Sequence, residues 1–539
     1  MKSILLIDIC HFYGLSENLG IASVCSFLRD KNYDVSLMSL YNWDIEDKPE
    51  EQKKYAKEIA NNYSLVGMSM FFTNVDLIYQ LSNEIKRANP DCKIFCGGRL
   101  ASDAYVNIFQ ETKDIDYVIL GDGEIPVWNL IEALNNGSDV EVLDSIVTKN
   151  NYFLDEKMPA IYDMKKVIWP ARDFLKHNFQ GDYYTARIYM SRGCCGDCSF
   201  CSFNSYSKKR KTKCWIGRDI ADVLNEVKYL YDSYGIRSFT INDGSVEDPG
   251  GLGKKRLKQF CEGILSMNIK ATFFAFIRAE TFSSDRMDDI TLLKMMKKAG
   301  FVQLYAGIEA ANEKELKLFK KRATVSDNEN ILSLLNHIGF ETSHFGFIFF
   351  TPFSNRTTIK ENILFLKKAK SPLISRYIEK VWILYDTQLH HIVKSEGLLG
   401  SDFNYKTPLN YSFKDSYIQQ IDDFYETVIR KSELMQHDYE IIKFIGYYSS
   451  MKFIFETELA DIIEEYNQFR EKYASELYHY FKIIYYEQDL EKAISTFDSF
   501  FQKCNYLMKS FNLLKLKMMR KKEIREYTIS MKKRGNNDG

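Results

Sequence analysis

Proline and long apolar runs are scarce in this 539-residue chain, which has nine prolines and none after Pro408. No stretch approaches the ~20 consecutive apolar residues that a membrane-spanning helix requires. Seventy-two lysines and arginines nearly balance 73 aspartates and glutamates. A net charge of −1 gives no reason to expect nucleic acid as a partner. We therefore expect a protein that binds neither membranes nor nucleic acid.

Features of a secreted protein are also missing. The eleven cysteines are odd in number, and four of them fall within residues 194–201, whereas a secreted disulfide scaffold is a short chain with an even, dispersed set. The first residues, Met1–Asp8, become acidic too early for a signal peptide and fit a buried strand. We expect a reduced, cytoplasmic protein of about three domains.

The first strand is not followed by G-x-G-x-x-G, so a dinucleotide is a poor candidate ligand for the first domain. Residues 1–145 nevertheless alternate between apolar strands and amphipathic helices, which predicts a doubly wound, Rossmann-like α/β domain. Ligands bind such a sheet beyond the carboxyl ends of its strands. The predicted strands are Ser3–Ile7, Val35–Ser39, Ser64–Met70, Lys93–Cys96 and Tyr117–Leu120.

The same alternation returns after a connector at residues 146–184. Residues 185–405 contain six strand–helix units, which fit a partial (β/α)6 barrel resembling a TIM barrel, with its chemistry at the carboxyl ends of the strands. Residues 406–539 have one proline and almost no glycine, and their Tyr and Phe recur at helical spacing, which predicts an all-helical C-terminal domain. The predicted barrel strands are Thr185–Met190, Ser238–Asn242, Ala271–Ile277, Phe301–Ala306, Glu341–Phe350 and Lys380–Tyr385.

Three cysteines at C-x3-C-x2-C spacing, Cys194, Cys198 and Cys201, lie directly after the first barrel strand. Thiolates bind zinc, copper or iron–sulfur clusters. A closed zinc site normally takes four protein ligands, and a zinc knuckle that also uses Cys195 is one interpretation of this loop. The other is a [4Fe–4S] cluster held at three of its irons, with the fourth iron open.

Ser191-Arg192-Gly193 before the motif and Phe200 within it make the loop resemble the signature of radical S-adenosylmethionine (SAM) enzymes. The resemblance implies that SAM binds the open iron and is cleaved there to methionine and a 5′-deoxyadenosyl radical. It also implies a flavodoxin-type or ferredoxin-type electron donor. Cys195 stands where the family often has proline, and we interpret it as a thiol that does not bind the cluster.

The first domain resembles the cobalamin-binding domain in the order and spacing of its strand ends. Leu19-Gly20-Ile21-Ala22 matches the segment entering the first helix of that family. The resemblance implies that glycines let the backbone approach the cofactor. It assigns to cobalamin the residues Ser69, Thr73, Gly97, Gly98, Gly121, Gly123 and Glu124. The alternative is a scaffold domain that has lost its ligand.

A histidine ligand to cobalt is a separate question. Related methyltransferases use D-x-H-x-x-G, whereas Asp8 and His11 here form D-x-x-H-x-x-G, one residue too long. Imidazole ligation depends on a fixed ring orientation. We therefore expect cobalamin without a histidine ligand, in a loop that lines its lower face.

The resemblance assigns four residues to SAM: Phe200, Asp243, Arg278 and Glu309. The last three end the second, third and fourth barrel strands. Arginine suits the SAM carboxylate, and carboxylates suit its ammonium and hydroxyl groups. A mutual salt bridge between Arg278 and Glu309 is the structural alternative.

The combined resemblance, over residues 1–405, implies a cobalamin-dependent radical SAM enzyme. The expected reaction is methylation of an unactivated carbon in a small-molecule (natural-product) or peptide substrate. One alternative keeps both cofactors but couples the radical to cyclisation or rearrangement. Another is a non-catalytic cobalamin sensor with a structural cluster.

Overall fold

The computed structural model describes residues 3–10, 17–154, 157, 159–177, 185–203 and 214–535, with the side chains of 10, 166 and 529–535 left aside. His11, and with it the question of a cobalt ligand, lies outside these residues. Among the residues described, no helix is both long and apolar enough to cross a bilayer.

The N-terminal domain is a twisted sheet in the order β2-β1-β3-β4-β5-β6, with helices on both faces. The first five strands pair in parallel, as the alternating pattern predicts, and β6 adds to the edge in antiparallel orientation. Because β6 spans Ile146–Thr148, this sheet extends three residues into the stretch predicted to be the connector. The remaining strands are β1 (Ser3–Cys10), β2 (Val35–Tyr41), β3 (Tyr63–Ser69), β4 (Lys93–Gly97) and β5 (Tyr117–Ile119).

Five longer helices and two short ones accompany this sheet. They are α1 (Leu19–Asp30), α2 (Asn42–Ile45), α3 (Pro49–Asn62), α4 (Val75–Ala88), α5 (Arg99–Glu111), α6 (Glu124–Asn136) and α7 (Asp173–His177). Helix α5 begins directly after Gly98, three residues before the start at Ser102 that the sequence pattern predicts, and the φ of +103° at Gly98 provides the turn out of β4.

The second domain is an open barrel built on a parallel sheet in the order β13-β12-β11-β10-β7. The long fifth strand predicted over 341–350 pairs regularly only at Gly346–Phe347. The sixth is reduced to one parallel bridge between Phe350 and Lys380. A two-stranded ribbon, β8 with β9, projects after β7. The strands are β7 (Thr185–Ile188), β8 (Ser191–Gly193), β9 (Trp215–Gly217), β10 (Ser238–Ile241), β11 (Thr272–Arg278), β12 (Phe301–Glu309) and β13 (Gly346–Phe347).

Helices on the outside of the barrel bury its apolar face. In β11, Phe273, Ala275 and Ile277 are fully or nearly fully buried, whereas the alternate residues Phe274, Phe276 and Arg278 are partly exposed and face the barrel interior. The helices are α8 (Ile220–Ser233), α9 (Gly251–Ser266), α10 (Met287–Lys298), α11 (Glu313–Leu318), α12 (Val325–Ile338), α13 (Arg356–Ala369), α14 (Ser375–Ile378) and α15 (Gln388–Ser395).

The C-terminal region is helical, as predicted, and its aromatic side chains join the barrel in one core. Tyr377, Tyr425 and Tyr485 are among its fully buried side chains. The sequence pattern predicts two helices here, at 489–501 and 504–527, whereas the structure has one continuous helix of 31 residues through 502–503. The helices are α16 (Ser416–Phe424), α17 (Leu434–Ile454), α18 (Ala460–Lys482), α19 (Leu490–Arg520) and α20 (Lys522–Gly535).

Buried ion pairs join the first two domains. The Arg172 guanidinium binds Glu17 at 2.8 Å and Glu226 at 2.7 Å, and all three side chains are at most 5% exposed. The second carboxylate oxygen of Glu17 accepts a hydrogen bond from the backbone N–H of Arg187 at 2.7 Å. These bonds fix the first barrel strand against the N-terminal domain, so the carboxyl ends of both sheets meet.

Candidate active site

A cavity of about 310 Å³ lies where the strand ends of the two domains face each other. One wall comes from the N-terminal domain, including the glycine-rich ends of β4 and β5. The opposite wall comes from the ribbon strand β8 and the end of β10, including Arg192, Asn242 and Gly244. The cavity therefore belongs to both domains.

Glycines, which have no side chain, form much of the N-terminal wall. Gly97, Gly98, Gly121 and Gly123 all line the cavity. A Cβ at Gly98 would lie 3.3 Å from the Met70 carbonyl, and one at Gly123 would lie 2.9 Å from Cγ2 of Val24. Larger residues would therefore disturb the backbone that a ligand must approach.

Apolar residues floor the cavity, and polar groups lie at its edge. The floor contains Leu6, Val24, Phe95, Ile119 and Val127. An apolar slot walled by glycine backbone suits the aromatic nucleotide tail of cobalamin, so the residues present fit the group that the sequence resemblance implies.

Two of the polar residues assigned to cobalamin differ in position. Ser69 lines the cavity, and its hydroxyl accepts a hydrogen bond from Asn18 Nδ2 at 3.0 Å. Thr73 is exposed and does not line the cavity. A contact between Thr73 and cobalamin stays a prediction without support from this geometry.

Glu124 has a partner that the sequence did not indicate. Its carboxylate is 3% exposed and accepts a hydrogen bond from Arg192 Nη2 at 2.6 Å, while Arg192 Nη1 lies 3.5 Å from Asp122. Arg192 immediately precedes Gly193 and the cluster motif. Glu124 thus ties the cobalamin-type domain to the cysteine loop, and this ion pair forms part of the cavity wall.

The cysteine loop begins at a close backbone contact. Gly193 has φ +96°, and a Cβ there would lie 2.1 Å from the Cys214 carbonyl oxygen. The N–H of Cys194 donates to that oxygen at 2.9 Å. Further along, the N–H of Ser199 donates to the Phe319 carbonyl at 2.9 Å. The loop is therefore anchored at both ends by main-chain bonds.

The three motif thiols lie close together, since Cys201 acts electrostatically on both Cys194 and Cys198. A Cβ at Gly196 would be 3.4 Å from Cys194 Sγ and 3.8 Å from Cys198 Sγ. Burial raises the pKa of the Cys194 thiol to about 11 and that of Cys198 to about 12. Since iron binds thiolates, loading a cluster here must release protons.

The zinc-knuckle alternative does not match this arrangement. Cys195 Sγ lies 3.0 Å from Cys214 Sγ. Within the described part of the chain, no three His, Cys, Asp or Glu side chains converge on a single-ion position. Thiolates that each hold a different iron of a cubane do not need to converge in that way, so the donors fit a [4Fe–4S] cluster.

Asp243 lies beneath the loop. Its carboxylate accepts hydrogen bonds from the Met190 N–H at 2.8 Å and the Ser191 hydroxyl at 2.5 Å. Burial raises its pKa to about 6. These bonds give Asp243 a role in positioning the strand before the cysteines, and its contact with SAM stays a prediction. Asn242 beside it is exposed and lines the cavity.

Arg278 and Glu309 do not pair with each other, so the mutual salt bridge offered as the structural alternative is wrong. Arg278 Nη2 binds Asp248 Oδ1 at 2.6 Å, and its Nη1 lies 4.0 Å from Cys194 Sγ. Glu309 has φ +66°, and burial raises its pKa while nearby Lys321 opposes that rise. The alternative fails because the turn after β10 supplies Asp248 as the nearer carboxylate.

Sequence reasoning missed the carboxylates of that turn. Asp248 Oδ2 accepts a hydrogen bond from the N–H of Cys195 at 2.8 Å. Glu247 is fully buried and accepts from the N–H of Arg278 at 3.1 Å and the hydroxyl of Thr281 at 3.0 Å. The signal available was Glu247-Asp248 a few residues beyond a strand end. Phe200, assigned to SAM, packs edge-on against Phe319 with ring centroids 5.1 Å apart.

Comparison with protein families tests the two resemblances seen in the sequence, to radical SAM enzymes and to the cobalamin-binding domain. A model of the radical SAM superfamily matches residues 188–366, and a model of the B12 binding domain matches residues 6–131. The chain is a cobalamin-binding radical SAM protein. Both resemblances seen in the sequence are confirmed, as are the α/β fold and the three cofactors: a [4Fe–4S] cluster, SAM and cobalamin.

The cobalamin-binding radical SAM protein has relatives with different activities. It is 26% identical over 324 residues to the anaerobic magnesium-protoporphyrin IX monomethyl ester cyclase of Synechocystis sp., covering 59% of this chain and 61% of the relative. It is 25% identical over 330 residues to the hopanoid C-3 methylase of Methylococcus capsulatus, covering 60% and 59%. The chain thus spans about three fifths of the length of each.

Solved structures share the fold. The cobalamin-dependent SAM radical enzyme OxsB, with aqua-cobalamin and SAM bound, superposes with a TM-score of 0.71 at 16% identity, covering 100% of this chain and 85% of that one. The radical SAM methyltransferase TsrM from Kitasatospora setae, with cobalamin and a [4Fe–4S] cluster bound, gives 0.54 at 16% identity, covering 69% and 71%. The OxsB match includes the C-terminal helices.

Proposed function

We propose that this protein is a cobalamin-dependent radical SAM methyltransferase that acts on an unactivated carbon of a small-molecule or peptide substrate. The observation that carries the proposal is the shared cavity, which brings the cobalamin-type strand ends and the cluster loop to one space. A hopanoid C-3 methylase and a TsrM methyltransferase among the similar proteins support methyl transfer.

The residues of this chain hold and shield the cofactors. Cys194, Cys198 and Cys201 would bind the cluster, and the glycine wall with its apolar floor would bind cobalamin. When bound, the cluster supplies the electron that cleaves SAM, and cobalamin supplies a carrier for a methyl group. Everything else is positioning by the protein.

Charged side chains that are buried or partly buried position these groups. Asp243 and Asp248 hold the backbone on either side of Cys194. The Arg278 guanidinium places positive charge 4.0 Å from the Cys194 sulfur, which favours its thiolate form. Arg192 joined to Glu124 keeps the two walls of the cavity in register. Asn242 offers an amide at the cavity surface for a polar group of SAM.

Aromatic side chains line part of the barrel interior. Phe276 and Tyr305 have ring centroids 5.4 Å apart, and Tyr305 lies 4.9 Å from the ring of His344. Burial lowers the pKa of His344 to about 3, so its imidazole is neutral near pH 7. An apolar interior excludes water from a radical reaction.

We place the protein in the cytoplasm, with a flavodoxin-type or ferredoxin-type protein as its electron donor.

Cyclisation is the second candidate, favoured by the similarity to the magnesium-protoporphyrin ester cyclase. A test without the native substrate separates the two. Reduced, cofactor-loaded protein should convert SAM to S-adenosylhomocysteine only when cobalamin is bound, because methyl transfer leaves that product. Formation of 5′-deoxyadenosine with no cobalamin-dependent S-adenosylhomocysteine would favour cyclisation. If neither of these two compounds forms, the result would favour the non-catalytic sensor.

A further inference from the structure

Two cysteines that are not among the three motif cysteines lie in contact with each other beside that motif. Cys195 Sγ and Cys214 Sγ are 3.0 Å apart, although the residues are 19 positions apart in the chain. Cys214 is exposed and Cys195 is partly exposed. Among the cysteines whose side chains the structure describes, five more are buried: Cys25, Cys92, Cys96, Cys261 and Cys504. Solvent therefore reaches this pair of non-ligand thiols.

Hydrogen bonds made by their backbone hold both residues in place independently of their sulfurs. Strands β8 and β9 pair Gly193 with Trp215, and the Cys194 N–H donates to the Cys214 carbonyl. The Cys195 N–H donates to Asp248 Oδ2 at 2.8 Å, and Asp248 is fully buried. A disulfide needs a sulfur–sulfur distance of ~2.05 Å, so the side chains would close by about 1 Å on a fixed backbone.

We propose that Cys195 and Cys214 are a reversible disulfide site that accepts oxidation in place of the cluster cysteines. The oxidant is a low-molecular-weight disulfide, RSSR. The exposed Cys214 thiolate attacks it, forming a mixed disulfide and releasing RS⁻. Cys195 thiolate then attacks the Cys214 sulfur and releases a second RS⁻. Two protein thiols are oxidised, RSSR is reduced to two RSH, and the protein's two protons go to the released thiolates.

The disulfide would enclose the segment that carries Cys198 and Cys201. Its ends would stay joined when iron is absent, and Cys195 would no longer be available for exchange with its neighbour Cys194 or with Cys198. Without the pair, oxidation would reach the ligand thiols, and ligands tied up in disulfides cannot bind iron. This inference rests on the assignment of the cluster ligands and does not depend on methyl transfer.

The first test uses the full-length, cluster-loaded protein with oxidised glutathione under anaerobic conditions. Free thiols are then alkylated, and the tryptic peptides are analysed by mass spectrometry. Trypsin cuts between the two cysteines at 208–213, so the bond appears as two linked peptides. We expect Cys195–Cys214 as the main linked species, removed by dithiothreitol. Free alkylation of both residues after the challenge, or links that join Cys195 to Cys194, Cys198 or Cys201, would overturn the proposal.

The second test measures protection of the ligands. Iron-free protein is challenged with oxidised glutathione and then given ferrous iron and sulfide without thiol reductant. Cys214→Ser should load at least twofold less iron than wild type, while loading like wild type when unchallenged, which shows that it folds. Cys261→Ser, a buried cysteine, is the control and should match wild type. Equal loading of challenged Cys214→Ser and wild type would refute protection.

Discussion

The two walls of the cavity are built by opposite means. In the cobalamin-type domain, the strand ends carry Gly97, Gly98, Gly121 and Gly123, and the space exists because side chains are missing. In the barrel, the strand ends carry buried charged side chains that hydrogen-bond to one another and to the cysteine loop. One wall is therefore sensitive to added atoms, and the other is sensitive to lost charges and donors.

The largest effect should come from removing the cluster ligands. Replacing Cys194, Cys198 and Cys201 together with alanine should abolish iron binding, from about four irons per chain to none, because no other side chain substitutes for a thiolate. Iron content and visible absorbance after anaerobic reconstitution measure this. Cys195→Ala should keep the cluster, since its sulfur faces Cys214. Loss of iron in Cys195→Ala would disprove the ligand assignment.

The second-largest effect should come from breaking the ion pair between Arg192 and Glu124, which joins the two walls. Arg192→Met leaves the buried Glu124 carboxylate unpaired, which costs about 3–5 kcal/mol. We expect weaker cobalamin binding and a changed magnetic interaction between cob(II)alamin and the reduced cluster, measured by electron paramagnetic resonance.

Arg29→Met is the matched control for that variant. Arg29 in the N-terminal domain also binds a carboxylate far along the chain, Asp173 in the connector, at 2.7 Å, but both side chains are about one third exposed. Such pairs contribute roughly 0–1 kcal/mol. An unchanged magnetic interaction in Arg192→Met, or an equal effect of Arg29→Met, would exclude a special role for the Arg192 bridge.

The barrel wall should also respond to pH. Burial raises the pKa of Asp243 to about 6 from its usual 3.8, so the folded state binds more protons than the unfolded state between these values. Its contribution to stability is therefore greatest below pH 4, falls as pH rises from about 4 to 6, and is then constant.

Asp243→Asn removes this titration. The free energy of unfolding of the variant, relative to wild type, should rise by up to about 3 kcal/mol between pH 4 and 7, as followed by denaturant titration of the iron-free chain. A difference that does not change with pH would contradict the assigned pKa. A glycine variant removes no titratable group, so the same comparison on Gly98→Ala should show no slope.

The smallest effect should follow from one added methyl group in the other wall. Gly98→Ala places a Cβ 3.3 Å from the Met70 carbonyl at φ +103°, where an L-residue is strained by about 1–2 kcal/mol. Cobalamin affinity should fall on the order of tenfold, with iron content unchanged.

Gly137→Ala separates strain from contact with the ligand. Gly137 also has positive φ, +66°, but nothing lies within 4 Å of its added Cβ, and it does not line the cavity. The Gly137→Ala variant should be less stable than wild type but should retain its affinity for cobalamin, measured by equilibrium titration with aqua-cobalamin. Equal loss of affinity in both variants would show that the glycine wall does not contact the cofactor.

Local patterns predicted the element types well and their lengths less well. Asp219 caps α8, as its place before an apolar run indicates, and Gly339 ends α12 in the left-handed conformation. The sixth barrel strand over 380–385 was overestimated, because an apolar run shows a strand's propensity but not whether a neighbour pairs with it.

Spacing along the chain was enough to predict the motif that would bind iron, because C-x3-C-x2-C holds its three thiols within one loop whatever surrounds it. It also settled which strand ends lack side chains, since glycine is visible in the sequence. Only the tertiary structure decided the partners of charged residues. Arg278 binds Asp248 instead of Glu309, Glu124 binds Arg192, and Cys195 meets Cys214. The physical reason is range: a turn or a glycine acts on its own backbone, whereas an ion pair joins residues that only folding brings together.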